Sequence, residues 1–196
     1  MAWQMGLILG GARSGKTHLA LRVGQTFPPP RFYLATAVAD PDDPEMQARI
    51  ERHRRDRGPA WHTVEAGPEL AEALGRLPRT ARVAVIDCLT LWLGRWMERE
   101  PTDEAVLDRA EALLEAVVRC PAPVILVSNE VGLGIVPMTP AGRRFRDLAG
   151  WLHQRVAERA DWVVFTVAGL PMFLKGRAEH VLGPSPDLPD AGPHGR

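Results

Sequence analysis

A chain of 196 residues is long enough for one α/β domain with a buried sheet and too short for two full domains. Hydrophobic residues make up 45% and charged residues 24%, which excludes the disordered and collagen-like classes. Lys plus Arg and Asp plus Glu both number 24, so no overall positive field argues for nucleic acid. Cys88 and Cys120 are the only cysteines and form no CxxC pair, which fits packing roles in a reducing compartment. The amino terminus lacks the basic region of a signal peptide, and no stretch approaches the roughly 20 apolar residues of a membrane span. The expectation is a cytoplasmic protein with no membrane span and no nucleic-acid partner.

Taken in chain order, short apolar runs predict strands at Met5 to Leu9, Arg31 to Thr36, Val83 to Cys88, Val124 to Ser128 and Asp161 to Val167. A helix is expected from Asp43-Pro44-Glu45 to about Arg57. Leu107, Ala110, Leu114, Val117 and Val118 follow a helical period, as do Phe145, Leu148, Leu152 and Val156. Thr139 followed by Pro140 suits an N-cap and first helical position for the second of these. His180 to Leu182 carries a weak signal for a short edge strand. The strand runs are apolar on both faces and separated by amphipathic segments, which predicts a mainly parallel sheet flanked by helices. The fold class is α/β, with one domain over residues 1–182 and a flexible tail over 183–196, where there is almost nothing to bury.

The segment Gly10-Gly11-Ala12-Arg13-Ser14-Gly15-Lys16-Thr17 matches G-x-x-x-x-G-K-[ST]. It follows a predicted strand and precedes Leu19, Ala20 and Val23 of a predicted helix, as a phosphate-binding P-loop requires. Glycines let backbone N–H groups close on phosphate oxygens, and the helix presents its positive end to them. Lys16 would neutralise β/γ-phosphate charge and Thr17 would ligate Mg²⁺. Asp87 ends the run Val83-Ala84-Val85-Ile86 and is the candidate for the second Mg²⁺ contact, with a turn or cap role as the alternative. Asn129 and Glu130 fall just past the fourth strand, where open sheets bind ligands. Sensing of phosphate or metal and loop capping stand equally for that pair.

The span Glu45 to Arg57 holds five arginines in a chain of zero net charge. Met46, Ile50 and His53 share one helical face, so His53 is expected to face the protein. A structural histidine on a solvated basic helix is one reading. The other is a nucleophile that attacks phosphorus and holds it as a phosphoramidate, with arginines neutralising the triphosphate. The remaining histidines show no zinc spacing. Six tryptophans, Trp3, Trp61, Trp92, Trp96, Trp151 and Trp162, offer flat apolar surface, but in a small domain they suit the core or a subunit contact better.

The glycine turn, Met46-x-x-Arg49-Ile50-x-x-His53, Trp61-His62-Thr63-Val64-Glu65, Asp87-Cys88-Leu89-Thr90 and Ser128-Asn129-Glu130-Val131-Gly132-Leu133-Gly134-Ile135-Val136-Pro137 together resemble the bifunctional adenosylcobinamide kinase / adenosylcobinamide-phosphate guanylyltransferase family of cobalamin biosynthesis. The resemblance spans about Leu7 to Lys175. It implies a RecA-like P-loop fold, phosphorylation of adenosylcobinamide with ATP or GTP, and transfer of GMP from GTP onto that phosphate. It further implies that His53 carries the GMP and that Gly10 to Thr17 hold phosphates. Ala35, Thr36, Ala37, Arg54, Arg55, Asp56 and Arg57 would line the nucleotide site, with Glu65 and Asp87 adding polar contacts. A homo-oligomer, with a trimer as one form, is implied as well. Two departures stand out: His153 occupies an expected asparagine position, and Asp87 stands where some relatives have glutamate.

A monofunctional P-loop small-metabolite kinase would need no covalent intermediate and would leave His53 structural. A nucleotide-switched RecA-like binding protein is the third reading. Against it, the arginines cluster on one segment instead of forming a long basic stripe with aromatic platforms.

Overall fold

In a computed structural model of the chain, the residues described are 3–37, 47–48, 57–177 and 181. They form one seven-stranded sheet with strand order β3-β2-β4-β5-β1-β6-β7. The strands are β1 (Met5–Gly10), β2 (Arg31–Ala35), β3 (Trp61–Glu65), β4 (Val83–Asp87), β5 (Val124–Asn129), β6 (Trp162–Val167) and β7 (Leu170–Lys175). All neighbouring pairs are parallel except β6 and β7, which are antiparallel. The helices are α1 (Lys16–Gln25), α2 (Leu70–Gly75), α3 (Leu89–Arg99), α4 (Asp103–Arg119) and α5 (Pro140–Arg159). The expected α/β P-loop domain is present, and its strand order is RecA-like: β5 separates the phosphate-loop strand β1 from β4, which ends in Asp87.

Strand alternation divides the core into two layers. On one face Leu7, Leu34, Ala84, Ile86 and Leu126 pack with residues of α2, α3, α4 and α5. On the other, Ile8, Tyr33, Val83, Val85, Ile125 and Val127 pack with Leu19, Ala20 and Val23 of α1 and with Trp3, Trp61 and Trp162. By the same alternation Asp87 falls on the α1 face and Ser128 on the opposite face. This parity decides which helix each can meet.

All five expected strands are present. Two more were not expected: β3 and the antiparallel edge β7. Helices α4 and α5 form where the 3.6-residue period placed them. The Thr102 hydroxyl accepts from the Ala105 N–H at 3.2 Å, and Asp103 and Glu104 occupy the first turn of α4, where carboxylates favour the helix dipole. Thr139 caps α5 by accepting from the Gly142 N–H at 3.1 Å, with Pro140 next in line. The basic helix expected to end near Arg57 lies largely outside the described residues, with Gln47, Ala48 and Arg57 helical. Of the weak edge strand, His180 and Leu182 are outside them, and Val181 is helical. The tail at 183–196 also lies outside them. Among the described residues, no helix is long and apolar enough to cross a membrane.

Gly6 shows how tightly the α1 layer is filled. A Cβ at this position of β1 would stand 2.0 Å from Trp162 Cζ2 and 2.1 Å from Cε2, so the buried indole occupies the space a side chain would need. Gly6→Ala is expected to cost about 1–3 kcal/mol through overpacking, read as a lower urea midpoint at unchanged slope.

Candidate phosphate site at the sheet edge

The carboxyl ends of the parallel strands fall on one edge, with Gly10 opposite Asn129 and Thr166. Ala35 stands opposite both Glu65 and Asp87. The phosphate loop turns off β1 at this edge. Gly10 (φ 156°) is held so closely that a Cβ would lie 2.4 Å from Thr166 Oγ1 and 2.6 Å from Ser14 Oγ. Gly15 adopts φ 96° and is the N-cap of α1 without any side-chain cap. The first N–H groups of α1 are thus offered at the loop, the arrangement that receives an anion. Lys16 is 8% exposed, and its Nζ donates to the Gly11 carbonyl at 2.6 Å.

The loop is braced from the side by the β6–β7 hairpin. Ser14 Oγ and Thr166 Oγ1 are 2.8 Å apart, and Thr166 Oγ1 also donates to the Leu9 carbonyl. The Gly169 N–H donates to the Ser14 carbonyl at 3.0 Å. On the other side, the Glu130 N–H donates to the Gly10 carbonyl at 2.9 Å.

Thr17, in the first turn of α1, donates from Oγ1 to Asp87 Oδ2 at 2.6 Å. The Tyr33 hydroxyl donates to the same oxygen at 2.9 Å. Burial and the neighbouring Asp87 charge push the Tyr33 phenol well above its ordinary pKa, so it stays protonated and remains a donor. A hydroxyl and a carboxylate side by side at a phosphate loop are the hard oxygen donors Mg²⁺ takes. Among the described residues no group of three His, Cys, Asp or Glu side chains is placed to hold a metal. One or two protein ligands, with phosphate and water completing the shell, is the usual Mg²⁺ pattern.

The other expected residues divide. Thr36 is buried; its hydroxyl accepts from the Cys88 N–H at 2.8 Å and donates to the Cys88 carbonyl at 2.9 Å, tying β2 to the turn after Asp87. The Ala35 carbonyl accepts from the Ala66 and Gly67 N–H groups. Ala37 and Glu65 lie at the same edge, just past β2 and at the end of β3. Asn129 Nδ2 donates to Thr90 Oγ1 at 3.0 Å, which ties the end of β5 to the first turn of α3. Arg57 is 6% exposed, with its guanidinium 3.9 Å above the Tyr33 ring and Nη2 donating to Thr63 Oγ1. His53, Arg54, Arg55 and Asp56 lie outside the described residues. Trp151 is half exposed and the other five tryptophans are buried. A groove of about 420 Å³ beside Trp151 is lined by α4 and α5 residues, Leu107 and Arg155 among them, and includes none of the phosphate-site candidates. Both cysteines are buried, and burial raises their thiol pKa values.

Sequence reasoning did not single out Tyr33, since a tyrosine inside an apolar strand reads as core. It also left His153 without a role. His153, on α5, is 6% exposed; Nε2 lies 2.7 Å from Ser128 Oγ and Nδ1 lies 3.5 Å from Glu130 Oε2. Glu130 Oε1 accepts from the Gly132 N–H at 2.5 Å.

With this geometry in place, residues 6–174 match the family described as cobinamide kinase / cobinamide phosphate guanyltransferase. A bifunctional adenosylcobalamin biosynthesis protein CobP of Pseudomonas aeruginosa is 48% identical over 87% of this chain and 96% of its own length. The bifunctional adenosylcobalamin biosynthesis protein CobU of Salmonella typhimurium is 37% identical over 86% of this chain and 98% of its own. Among solved structures, the RadB recombinase aligns with 84% of this chain and 74% of its own at 17% identity, with a TM-score of 0.47.

Burial lowers the His153 pKa, while Glu130 opposes that shift. A histidine lowered in the folded state adds stability that is full above its unfolded pKa of about 6.5 and is lost as pH falls from there toward the folded value. Unfolding free energy measured in urea should therefore decline as pH is lowered from 7.5 to 5.5. His153→Gln should flatten that slope.

Proposed function

Because the chain belongs to the cobinamide kinase / cobinamide phosphate guanyltransferase family, we propose that it carries out both reactions on adenosylcobinamide. In the first, the substrate hydroxyl oxygen attacks the γ-phosphorus of ATP or GTP. The bond to the nucleoside diphosphate breaks and the hydroxyl proton leaves. In the second, a ring nitrogen of His53 attacks the α-phosphorus of GTP, pyrophosphate departs, and a guanylyl-histidine remains. An oxygen of adenosylcobinamide phosphate then displaces His53, giving adenosylcobinamide-GDP and the free imidazole.

The observation that carries this reading is the Thr17 to Asp87 hydrogen bond beside the uncapped N-terminus of α1. It joins a phosphate receptor and a pair of hard oxygen donors at one end of the sheet, as phosphoryl transfer requires. Gly10, Gly11, Ala12, Arg13, Ser14, Gly15 and Lys16 hold the phosphate chain, with the Lys16 ammonium turning from the Gly11 carbonyl to phosphate oxygens. Thr17 and Asp87 hold Mg²⁺, which neutralises phosphate charge when bound. Ala35, Thr36, Ala37 and Glu65 form the neighbouring wall at the ends of β2 and β3. Arg54, Arg55, Asp56 and Arg57 flank the nucleophile in sequence; the roles of His53 and its nearest neighbours rest on the residue pattern and on family membership. The enzyme works in the cytoplasm as a homo-oligomer, with a trimer as the expected form.

Incubation with Mg²⁺ and α-³²P-labelled GTP, followed by denaturation, tests the covalent step. The wild type is expected to retain label that is acid-labile and alkali-stable, as a phosphoramidate is, and His53→Ala to lose it. A wild type that binds GTP but takes up no label would leave a kinase without a guanylyl-enzyme.

A further inference from the structure

Among the described residues the Asp87 carboxylate accepts from two side-chain donors, and both end on the same oxygen. Thr17 Oγ1 reaches Oδ2 at 2.6 Å and the Tyr33 hydroxyl reaches it at 2.9 Å. The two donors approach from different elements, Thr17 from the N-terminus of α1 and Tyr33 from within β2. A carboxylate at the end of a strand otherwise turns about its terminal torsion, which is broad and roughly two-fold. Two donors converging on Oδ2 remove that freedom and leave Oδ1 as the oxygen that none of the described residues' donors reaches.

The phenol is itself held in place. Tyr33 is 3% exposed within the α1 layer, and the Arg57 guanidinium lies 3.9 Å over its ring. Arg57 is fixed in turn by Thr63 on β3. A cation over the ring face withdraws electron density and makes the hydroxyl a better donor. Asp87 is thus oriented by a chain running from β3 through Arg57 and Tyr33, independent of the phosphate loop.

We propose that Tyr33 is a positioning residue for the metal site: its hydroxyl, with Thr17, fixes the rotation of Asp87 so that Oδ1 faces Mg²⁺ on the bound nucleotide. This deepens the metal role of Asp87 stated above and rests on it. The chemistry is that of outer-shell partners that orient a metal-binding carboxylate.

Tyr33→Phe keeps the ring under Arg57 and removes one oxygen. GTP affinity is measured for the full-length protein by fluorescence titration, with Mg²⁺ and with EDTA, and unfolding in urea is followed in parallel. The Mg²⁺-dependent gain in GTP affinity should fall about tenfold in the variant, while metal-free affinity stays within about twofold and unfolding remains cooperative. In an Asp87→Asn background the same substitution should cause no further loss, since its route to the metal is gone. An unchanged Mg²⁺-dependent gain, an equal loss with and without Mg²⁺, or a variant that does not fold would each overturn the proposal in favour of a packing role. A wild type with no Mg²⁺-dependent gain would instead remove the metal reading of Asp87, and this proposal with it.

Discussion

The hydrogen bond from Thr17 to Asp87 joins two residues that are 70 positions apart and belong to different elements. It exists because of two constraints set elsewhere. Parallel pairing brings the carboxyl ends of β1, β2, β4 and β5 to one edge in fixed register, and the two-residue alternation turns Asp87 toward the layer that α1 covers. A slip of one residue in β4 would point Asp87 at α3 and present Ile86 to the phosphate loop. The sheet's apolar interior is therefore what aligns the chemistry: burial of Val83, Val85 and Tyr33 against Val23 and its neighbours opposes that slip, since each buried side chain is worth about 1.5–3 kcal/mol.

The phosphate loop is built for a different constraint, the close approach of backbone to backbone. Gly10 is pressed against Thr166 and Ser14, and a Cβ on Gly15 would stand 3.1 Å from Gly169 Cα. Gly169 itself has φ 81° and follows Ala168 at φ 52°, so the hairpin turn bends sharply enough to reach the loop and donate to Ser14. The β6–β7 hairpin forms one edge of the sheet and also braces the loop. Each of these neutral hydrogen bonds contributes about 0.5–1.5 kcal/mol, and their combined effect is to hold the loop's backbone before any phosphate arrives.

Much of this was legible in the sequence where local rules are strong. The glycine pattern from Gly10 to Thr17, the apolar runs of β1, β4 and β5, and the Thr139-Pro140 start of α5 each carry their own physical signature. What escaped depends on tertiary context. β3 is an edge strand whose His62, Thr63 and Glu65 side chains are exposed, so it lacks the apolar run that marked its neighbours. β7 contains Pro171 and exposes Leu170, Met172 and Leu174; proline is tolerated there because an edge strand has a side with no ladder to donate to. Helix α2 has six residues, too few for a period to show. Tyr33 was hidden for another reason: its partner Asp87 lies on β4, and no local pattern reveals that β2 and β4 are neighbours.

On the far side of the sheet, Ser128 and His153 form a second polar contact enclosed by apolar residues of β5 and α5. It reaches the same edge, because Glu130 links His153 to the Gly132 N–H while its own backbone N–H holds Gly10. The segment that follows inverts the usual sorting of residues: Leu133, Ile135 and Met138 are 80%, 97% and 96% exposed. Burial of these side chains within the chain therefore contributes little to this segment's conformation. Its anchors are polar, at Glu130 and at the Pro137 and Met138 carbonyls, which accept from Arg143 Nη1 at 3.0 and 2.8 Å. Its other support is the buried His153, whose Nδ1 lies 3.5 Å from Glu130 Oε2. Asparagine, expected at this position from family resemblance, offers a polar group without titration near neutral pH. Histidine here adds a titratable group beneath the sheet edge that carries the glycine loop, and its burial in the layer opposite α1 disfavours the charged imidazolium.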